Sequence, residues 1–381
     1  MKKLNSLFIL LFMGMLIVPL LLTNVKKDQV SGIDNRKLPE LNWSDAHVPV
    51  NDRIANAEEY LNMRIGLREI SLTAYQLLND RLFHLMEHPT YMYGKDGWVF
   101  FRNDDYVRDY QHLNLDQELI DRFTGWLQGM SDISREHGAD FLYVLVPDKK
   151  TVYSEYFPEG INVRGDMSRT DMLLDALRQT DIEWMYLYDA MAEAKKSGLV
   201  NNVKYDAGHW NEDGAFAALR AVYERLREKH PDIRMLEEEQ FTITTEHKSS
   251  LQVSHFPIDE DVPLYKLKKK KSGSDKDWLD ANLEFADRNA FRARYVNPEN
   301  EGLPKLLIFN DSYLAGKQKF FRENFSEVTM IHHDNLVNYQ RFEEYLNALE
   351  PDIVIFENPE RVLSTVMDTV WSFRREQSDT D

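Results

Sequence analysis

Three residues of this chain have the types that serine-based acyl transfer requires. Ser312 follows the apolar run 306–309 by three residues, and Asp206 and His209 lie upstream within the sequence Asp-Ala-Gly-His-Trp-Asn. A serine hydroxyl is a weak nucleophile until an imidazole takes its proton, and a carboxylate must hold that imidazole in the correct tautomer. We therefore predict Ser312 as nucleophile, His209 as general base and Asp206 as the orienting acid. Structural roles in a turn or a core are the alternative for each.

The segments around these residues predict a mostly parallel α/β sheet. Short apolar runs alternate with helical patterns, and the predicted strands are 141–146, 184–188, 306–309, 328–331 and 352–356. Strands that alternate with helices imply parallel pairing. Active sites of open α/β sheets lie outside the carboxyl ends of the strands, which is where Ser312 stands.

One segment breaks this alternation. Residues 241–245 alternate polar and apolar side chains like an antiparallel strand, and residues 268–271 form a basic run. We interpret 241–300 as an insertion that contains β-structure. A solvated loop is the expected role of the basic run, with polymer binding as the alternative.

The N-terminus predicts attachment to a membrane. Residues 4–25 are uncharged and mostly apolar, which is about the length that spans a bilayer, and no small-x-small cleavage site follows them. We predict an anchor or signal sequence at 1–25, a stalk at 26–50 and an extracytoplasmic catalytic domain at 51–381. The expected location is the cell membrane.

Composition narrows the choice of partner and chemistry. The formal charge of −18 disfavours a nucleic-acid partner, and the absence of cysteine excludes disulfides and thiol catalysis. The adjacent residues His332, His333 and Asp334 suggest a metal site, but neighbouring histidines point in different directions and spacing supplies no third ligand, so a loop is expected. We expect no metal and no cofactor.

Five motifs in a fixed order carry a family resemblance. They are 62–68 (NMRIGLR), 94–100 (GKDGWVF), 146–153 (VPDKKTVY), 209–211 (HWN) and 311–313 (DSY). In this set the chain resembles the SGNH hydrolase-like AlgX/AlgJ (DHHW-type) family of polysaccharide O-acetyltransferases, over nearly the whole of 51–381.

The resemblance implies a circularly permuted SGNH-like domain. In ordinary SGNH enzymes the serine block comes first and the Asp-x-x-His block last, whereas the AlgX/AlgJ type and this chain have the reverse order. By this mapping, the strand that ends near Asn358 corresponds to the SGNH sequence block whose asparagine helps to bind the oxyanion. Asn358 and the Ser312 amide are the implied oxyanion donors, with a turn before Pro359 as the alternative for Asn358.

The acid is the one departure from the family pattern. Its usual position, two residues before the histidine, is Ala207 in this chain. Asp206 instead matches the spacing of ordinary SGNH enzymes, and we expect Gly208 to give the backbone the freedom to bring it round.

Four further residues are candidates for substrate binding. Trp210 could stack on a sugar face, Lys149 and Tyr153 could line the pocket, and Arg361 could steady a carboxylate or an acetyl intermediate. The alternatives are packing for the two aromatic residues, a polar position after a strand for Lys149 and a surface ion pair for Arg361.

The resemblance implies transfer of an acetyl group through Ser312 to hydroxyls of a secreted or cell-wall polysaccharide. A membrane-bound acyl-transfer protein would supply the acetyl group. Two alternatives stay open: a carbohydrate acetylesterase with the same triad, and a non-catalytic glycan-binding or assembly subunit.

Overall fold

The fold is described from a computed structural model. It describes residues 2–367 except 32–35, 45–47, 253, 255, 269–272, 278–280, 282, 287, 290, 337 and 365. The chain divides into two compact units, Met1–Tyr93 with His247–Glu260 and Gly94–Glu246 with Asp261–Asp381. The predicted catalytic residues all lie in the second unit.

The first unit is built largely from helices. Its regular elements before residue 94 are α1 (Lys2–Leu21), α2 (Val50–Arg64), α3 (Arg68–Phe83) and β1 (Tyr91–Tyr93). Arg64 is almost fully buried, and its guanidinium donates to the carbonyls of Asn24, Lys26, Leu38 and Pro39. Arg64 therefore ties part of the predicted stalk to α2; residues 32–35 and 45–47 of that stalk lie outside the described residues.

The predicted anchor coincides with α1. Within the described part of the chain, no helix combines the length and hydropathy that a bilayer crossing needs.

The second unit alternates strands and helices, as the sequence predicts. Its helices are α4 (Asp104–Tyr110), α5 (Gln117–Glu136), α6 (Lys149–Val152), α7 (Arg169–Leu177), α8 (Tyr188–Lys195), α9 (Glu212–Arg227) and α10 (Tyr339–Leu349). The strands that lie wholly or partly within this unit are β2 (Val99–Phe101), β3 (Asp140–Val146), β4 (Trp184–Tyr186), β5 (Phe241–Ser250), β6 (Pro257–Leu267), β7 (Ser274–Asp275), β8 (Phe291–Val296), β9 (Lys305–Asn310), β10 (Glu327–His332) and β11 (Ile353–Pro359).

Seven of these strands form the central sheet, in the order β4-β3-β11-β9-β10-β8-β7. The first five strands are parallel to one another. Beyond β10, the strands β8 and β7 extend the sheet in antiparallel pairing. The central strands are buried on both faces, which explains why their sequences are continuous apolar runs rather than alternating ones. The predicted class, a mostly parallel sheet flanked by helices, is confirmed.

The helices beside the sheet close the core. Asp116 caps α5 by accepting from the Leu119 amide, and Phe123, Leu127 and Met130 of α5 then recur on one buried face. The buried face of α10 joins the same cluster. This packing fixes the carboxyl ends of the strands, where the candidate site lies.

The segment 241–300 contains strands, as expected. β5 and β6 pair in a two-stranded sheet, while β7 and β8 belong to the central sheet. Residues 269–271 of the basic run lie outside the described residues. The permuted order and the status of this segment as an insertion stay predictions.

Candidate active site

The site lies at the carboxyl edge of the central sheet. Ser312 follows β9 by two residues and is exposed, and His209 and Asp206 come from the loop between α8 and α9. The Asp311 carboxylate accepts the Tyr313 amide at 2.6 Å and so caps the short turn that presents Ser312.

Asp206, His209 and Ser312 form one continuous hydrogen-bonded chain. His209 Nε2 lies 2.8 Å from Ser312 Oγ, and His209 Nδ1 lies 2.8 Å from Asp206 Oδ2. With Nδ1 donating to the carboxylate, Nε2 is left as the acceptor for the serine proton. This is the arrangement that a general base and its nucleophile need.

Asp206 is positioned by the backbone that carries the histidine. Its Oδ1 accepts the amides of Gly208 and His209, each at 2.9 Å. Burial alone would raise the pKa of Asp206, but the His209 ring and these two amides together hold that pKa below its ordinary value. Asp206 therefore stays ionised beside the histidine, and a spacing of three residues is sufficient to reach it.

Gly208 is required for a different reason from the one expected. Its φ does not lie in the left-handed region, but a Cβ at this position would stand 2.3 Å from the Phe101 ring. Space, rather than backbone freedom, excludes a side chain in the loop between Asp206 and His209.

A buried network surrounds the triad. Asp148 is fully buried and accepts from Arg361 Nη1 and from Lys150 Nζ at 2.8 Å, and its Oδ1 lies 3.1 Å from Tyr313 Oη. The other Arg361 nitrogen, Nη2, lies 3.4 Å from His209 Nε2. Burial opposes ionisation of Asp148, yet Lys150 and Arg361 lower its pKa to about 2.

Sequence reasoning missed Asp148 and Tyr313 as parts of the site. Tyr313 Oη donates to the Gly208 carbonyl at 2.7 Å, and its ring lies 4.8 Å from the His209 ring, centroid to centroid. Both residues stand inside recognised motifs, 146–153 and 311–313, and that position was the only available signal.

Of the four predicted substrate-binding residues, the structure brings Arg361 to the triad. Trp210 is buried, with Nε1 donating to the Tyr313 carbonyl at 2.8 Å, so it cannot stack on a sugar. Tyr153 is buried and accepts the Val200 amide, so it does not line an open pocket. Those two predictions are wrong.

Lys149 also requires correction. Its side chain is fully buried, and Nζ donates to the carbonyls of Val99, Val203 and Asp206 at 2.8, 3.1 and 2.9 Å. The ammonium therefore fastens the loop that carries Asp206, and it is not available to a substrate.

The structure does not present Asn358 as an oxyanion donor. Asn358 is fully buried, and its Nδ2 donates to the Pro359 carbonyl at 3.0 Å. The Ser312 amide makes no hydrogen bond to any described residue. Among the described residues, this amide and the Arg361 guanidinium, which contacts His209 Nε2, are the candidate oxyanion donors.

The metal alternative concerns the turn after β10. Donor atoms of His332, His333 and Asp334 lie within 4.8 Å of one another. Asp334 already pairs with both histidine rings, at 3.2 and 3.1 Å, as side chains of a single turn do.

Comparison with known proteins finds a similar family over part of the chain. Residues 92–255 match the family model described as "SGNH hydrolase-like domain, acetyltransferase AlgX". The match confirms the resemblance predicted from the motifs: residues 92–255 are similar to an SGNH hydrolase-like domain of the AlgX type.

Individual relatives are distant. The "Probable alginate O-acetylase AlgJ" of Pseudomonas putida is 22% identical over 178 residues, which are 46% of this chain and 44% of that protein. The chain therefore matches less than half the length of this relative.

Solved structures show the same fold. The structure of Bacillus cereus PatB1 with a sulfonyl adduct is 14% identical, and the match covers 71% of this chain and 94% of the PatB1 chain. Its TM-score of 0.53 shows a shared fold. The O-acetyltransferase domain of Pseudomonas putida AlgJ has a TM-score of 0.45 at 18% identity, with 72% of this chain and 92% of that domain covered.

Proposed function

We propose that this protein is an O-acetyltransferase that moves an acetyl group through an acyl-enzyme at Ser312 to hydroxyls of a secreted or cell-wall polysaccharide. The observation that carries the proposal is the chain of 2.8 Å contacts from Asp206 through His209 to Ser312. Similarity to the acetyltransferase AlgX family model supports the choice of an acetyl group. Similarity to a probable alginate O-acetylase supports a polysaccharide acceptor.

The first half-reaction loads the serine. His209 Nε2 takes the Ser312 proton as Oγ attacks the carbonyl carbon of the acetyl donor. The tetrahedral intermediate collapses to an acetyl ester on Oγ, and the leaving group takes the proton back from His209.

The second half-reaction repeats these steps with the acceptor. His209 takes the proton of a sugar hydroxyl, whose oxygen attacks the acetyl-Ser312 carbonyl. Collapse releases the sugar ester, and Ser312 recovers its proton from His209.

Negative charge develops on the carbonyl oxygen in both halves. We assign its stabilisation to the Ser312 amide and to the Arg361 guanidinium, which lies beside His209 Nε2. A preorganised donor of this kind contributes about 3 kcal/mol to the transition state. This assignment replaces Asn358 by Arg361.

The cellular setting belongs to the same proposal. Residues 1–25 would hold the chain at the membrane with the catalytic unit outside the cytoplasm. A membrane-bound acyl-transfer protein would deliver the acetyl group to Ser312 there. The apolar N-terminal sequence and the family resemblance support this arrangement.

The test uses p-nitrophenyl acetate as an artificial donor. We expect nitrophenol release from the unchanged protein, and release reduced to background in Ser312→Ala and His209→Ala. When candidate oligosaccharides are added, the acetyl group should be transferred to a sugar hydroxyl rather than to water. Release that persists in Ser312→Ala would refute the acyl-enzyme, and acetate as the sole product with every acceptor would favour an esterase.

A further inference from the structure

A cavity lies at the same edge of the sheet as the triad. It has a volume of about 460 Å³ and does not include Ser312 or His209 in its lining. Its walls come from the carboxyl ends of three neighbouring strands: Tyr186 and Tyr188 at β4, Lys150 and Thr151 after β3, and Glu360 after β11. Crevices outside strand carboxyl ends are where open α/β sheets bind ligands.

The cavity and the triad are close neighbours along this edge. In the order β4-β3-β11-β9, the cavity stands over the first three strands and Ser312 follows the fourth. Glu360 lines the cavity, while the next residue, Arg361, contacts His209. Strands are spaced by about 4.8 Å, so β4 and β9 are roughly 14 Å apart, a distance that a short oligosaccharide spans.

The two cations that line the cavity are already paired with carboxylates. Lys150 pairs with Asp148 at 2.8 Å, and Arg169 pairs with Asp109 at 2.7 Å. The Glu360 carboxylate accepts from the Asp148 amide and from the hydroxyls of Thr151, Thr170 and Tyr186. A lining whose cations are already paired, and which otherwise offers carboxyl and hydroxyl groups, favours an uncharged polar ligand over an anionic one.

The remaining lining offers an aromatic face and a fixed imidazole. Tyr186 and Tyr188 stack with 5.9 Å between their ring centroids, and Tyr188 is 38% exposed. His112 adopts φ 59°, a left-handed conformation that is uncommon for a non-glycine residue, and its Nδ1 donates to the Gly165 carbonyl at 2.9 Å. Nε2 of His112 is therefore an acceptor in the neutral ring.

We infer that this cavity is an acceptor subsite that binds a neutral pyranose unit of the glycan, a few units along the chain from the sugar whose hydroxyl reaches Ser312. The inference rests on the proposed function, because it assigns the cavity to the acceptor. It deepens that function by naming an uncharged sugar as the unit recognised and by predicting that acceptors longer than one sugar bind better.

Binding can be tested without acetyl transfer. The full-length chain carrying Ser312→Ala is titrated with cellotetraose and chitotetraose, with tetragalacturonate as the charged counterpart. We expect at least one neutral tetramer to bind more tightly than the uronate and than its own monosaccharide. Adding Tyr188→Ala should weaken that binding by about fivefold, because it removes the stacking face.

Two matched variants separate a subsite from a general loss of structure. Tyr188→Phe keeps the ring and should bind as the parent does, and so should Tyr75→Ala, which removes an exposed tyrosine of the other unit. His112→Asn keeps a residue that tolerates the left-handed backbone but lacks the ring, and it should weaken the tetramer.

The inference is overturned if neither neutral tetramer binds, if the uronate binds best, or if Tyr188→Ala binds as Tyr188→Phe does. Failure of the proposed function gives a different pattern. Binding of a neutral tetramer through Tyr188 without any acetylation of it would support the subsite and refute the proposed acetyltransferase activity.

Discussion

His209 has its tautomer and its ring orientation set by Asp206. The carboxylate accepts from Nδ1 of the imidazole and from the backbone amide of His209. One side chain therefore positions both the ring and the loop that carries the ring. Lys149 holds the Asp206 carbonyl from the other side. The spacing of three residues thus works because the loop turns back on the aspartate side chain.

Replacement of Asp206 by asparagine should remove this control with little change in shape. We expect Asp206→Asn to lower kcat for p-nitrophenyl acetate by roughly 10³-fold, because an amide can stabilise the wrong tautomer and cannot stabilise an imidazolium. Asp232→Asn, at an exposed position, is the control and should retain full activity. An Asp206→Asn rate within tenfold of the parent would mean that the carboxylate does not orient the base.

At the scale of elements, the ends of β3 and β11 are joined by charge. Asp148 follows β3 and pairs with two cations: Lys150, whose side chain is 4% exposed, and Arg361 beyond β11. Removal of one member of a buried ion pair leaves the other charge uncompensated.

Asp148→Asn should therefore destabilise the protein by about 3 kcal/mol, measured by urea unfolding at neutral pH. Asp181→Asn, which breaks an exposed pair with Arg135, should leave the midpoint almost unchanged. Equal stability of Asp148→Asn and its parent would show that the network contributes no cohesion between these strand ends.

The strand β11 also carries a carboxyl group that resists ionisation. Burial and the negative charge of Asp311 raise the pKa of Glu357 well above its ordinary value of 4.5. A carboxyl whose folded pKa is raised contributes stability fully below pH 4.5, and this contribution is lost as pH rises towards the folded pKa.

Glu357→Gln should remove this loss of stability at higher pH. The free energy of unfolding of the variant relative to its parent should increase between pH 5 and pH 8, whereas Glu224→Gln, at an exposed carboxyl of α9, should show no such trend. A difference that is constant or falls over this range would contradict the protonated state assigned to Glu357.

Sequence patterns were informative about elements and less so about side-chain direction. The apolar runs predicted β3, β9 and β11, and the end of β9 placed Ser312 correctly at the sheet edge. The positions of Lys149 and Trp210 within motifs did not reveal that their side chains point into the interior. Burial depends on which distant parts of the chain pack against a residue, and a local motif does not specify them.

The buried network could not be predicted for a related reason. Asp148, Tyr313 and Arg361 meet only because the parallel register aligns the carboxyl ends of β3, β11 and β9. No local pattern in the sequence encodes that alignment.

For the whole molecule, the expectation is attachment to the membrane with the catalytic unit outside the cytoplasm. Full-length protein should sediment with membranes, and a chain lacking residues 1–25 should appear in the soluble fraction with its nitrophenyl acetate activity retained. Protease added to intact spheroplasts should degrade the catalytic unit of the full-length chain. Protection from that protease, or sedimentation without residues 1–25, would contradict the arrangement.

The most direct test of the central claim follows one acetyl group. The protein is mixed briefly with deuterated p-nitrophenyl acetate, digested and analysed by mass spectrometry, and a second sample receives an acceptor oligosaccharide before digestion. We predict labelled acetyl on the Ser312 peptide, absent in Ser312→Ala, and its transfer to a sugar hydroxyl when the acceptor is added. Label found on another residue, or an acetylated sugar formed equally well by Ser312→Ala, would contradict the account.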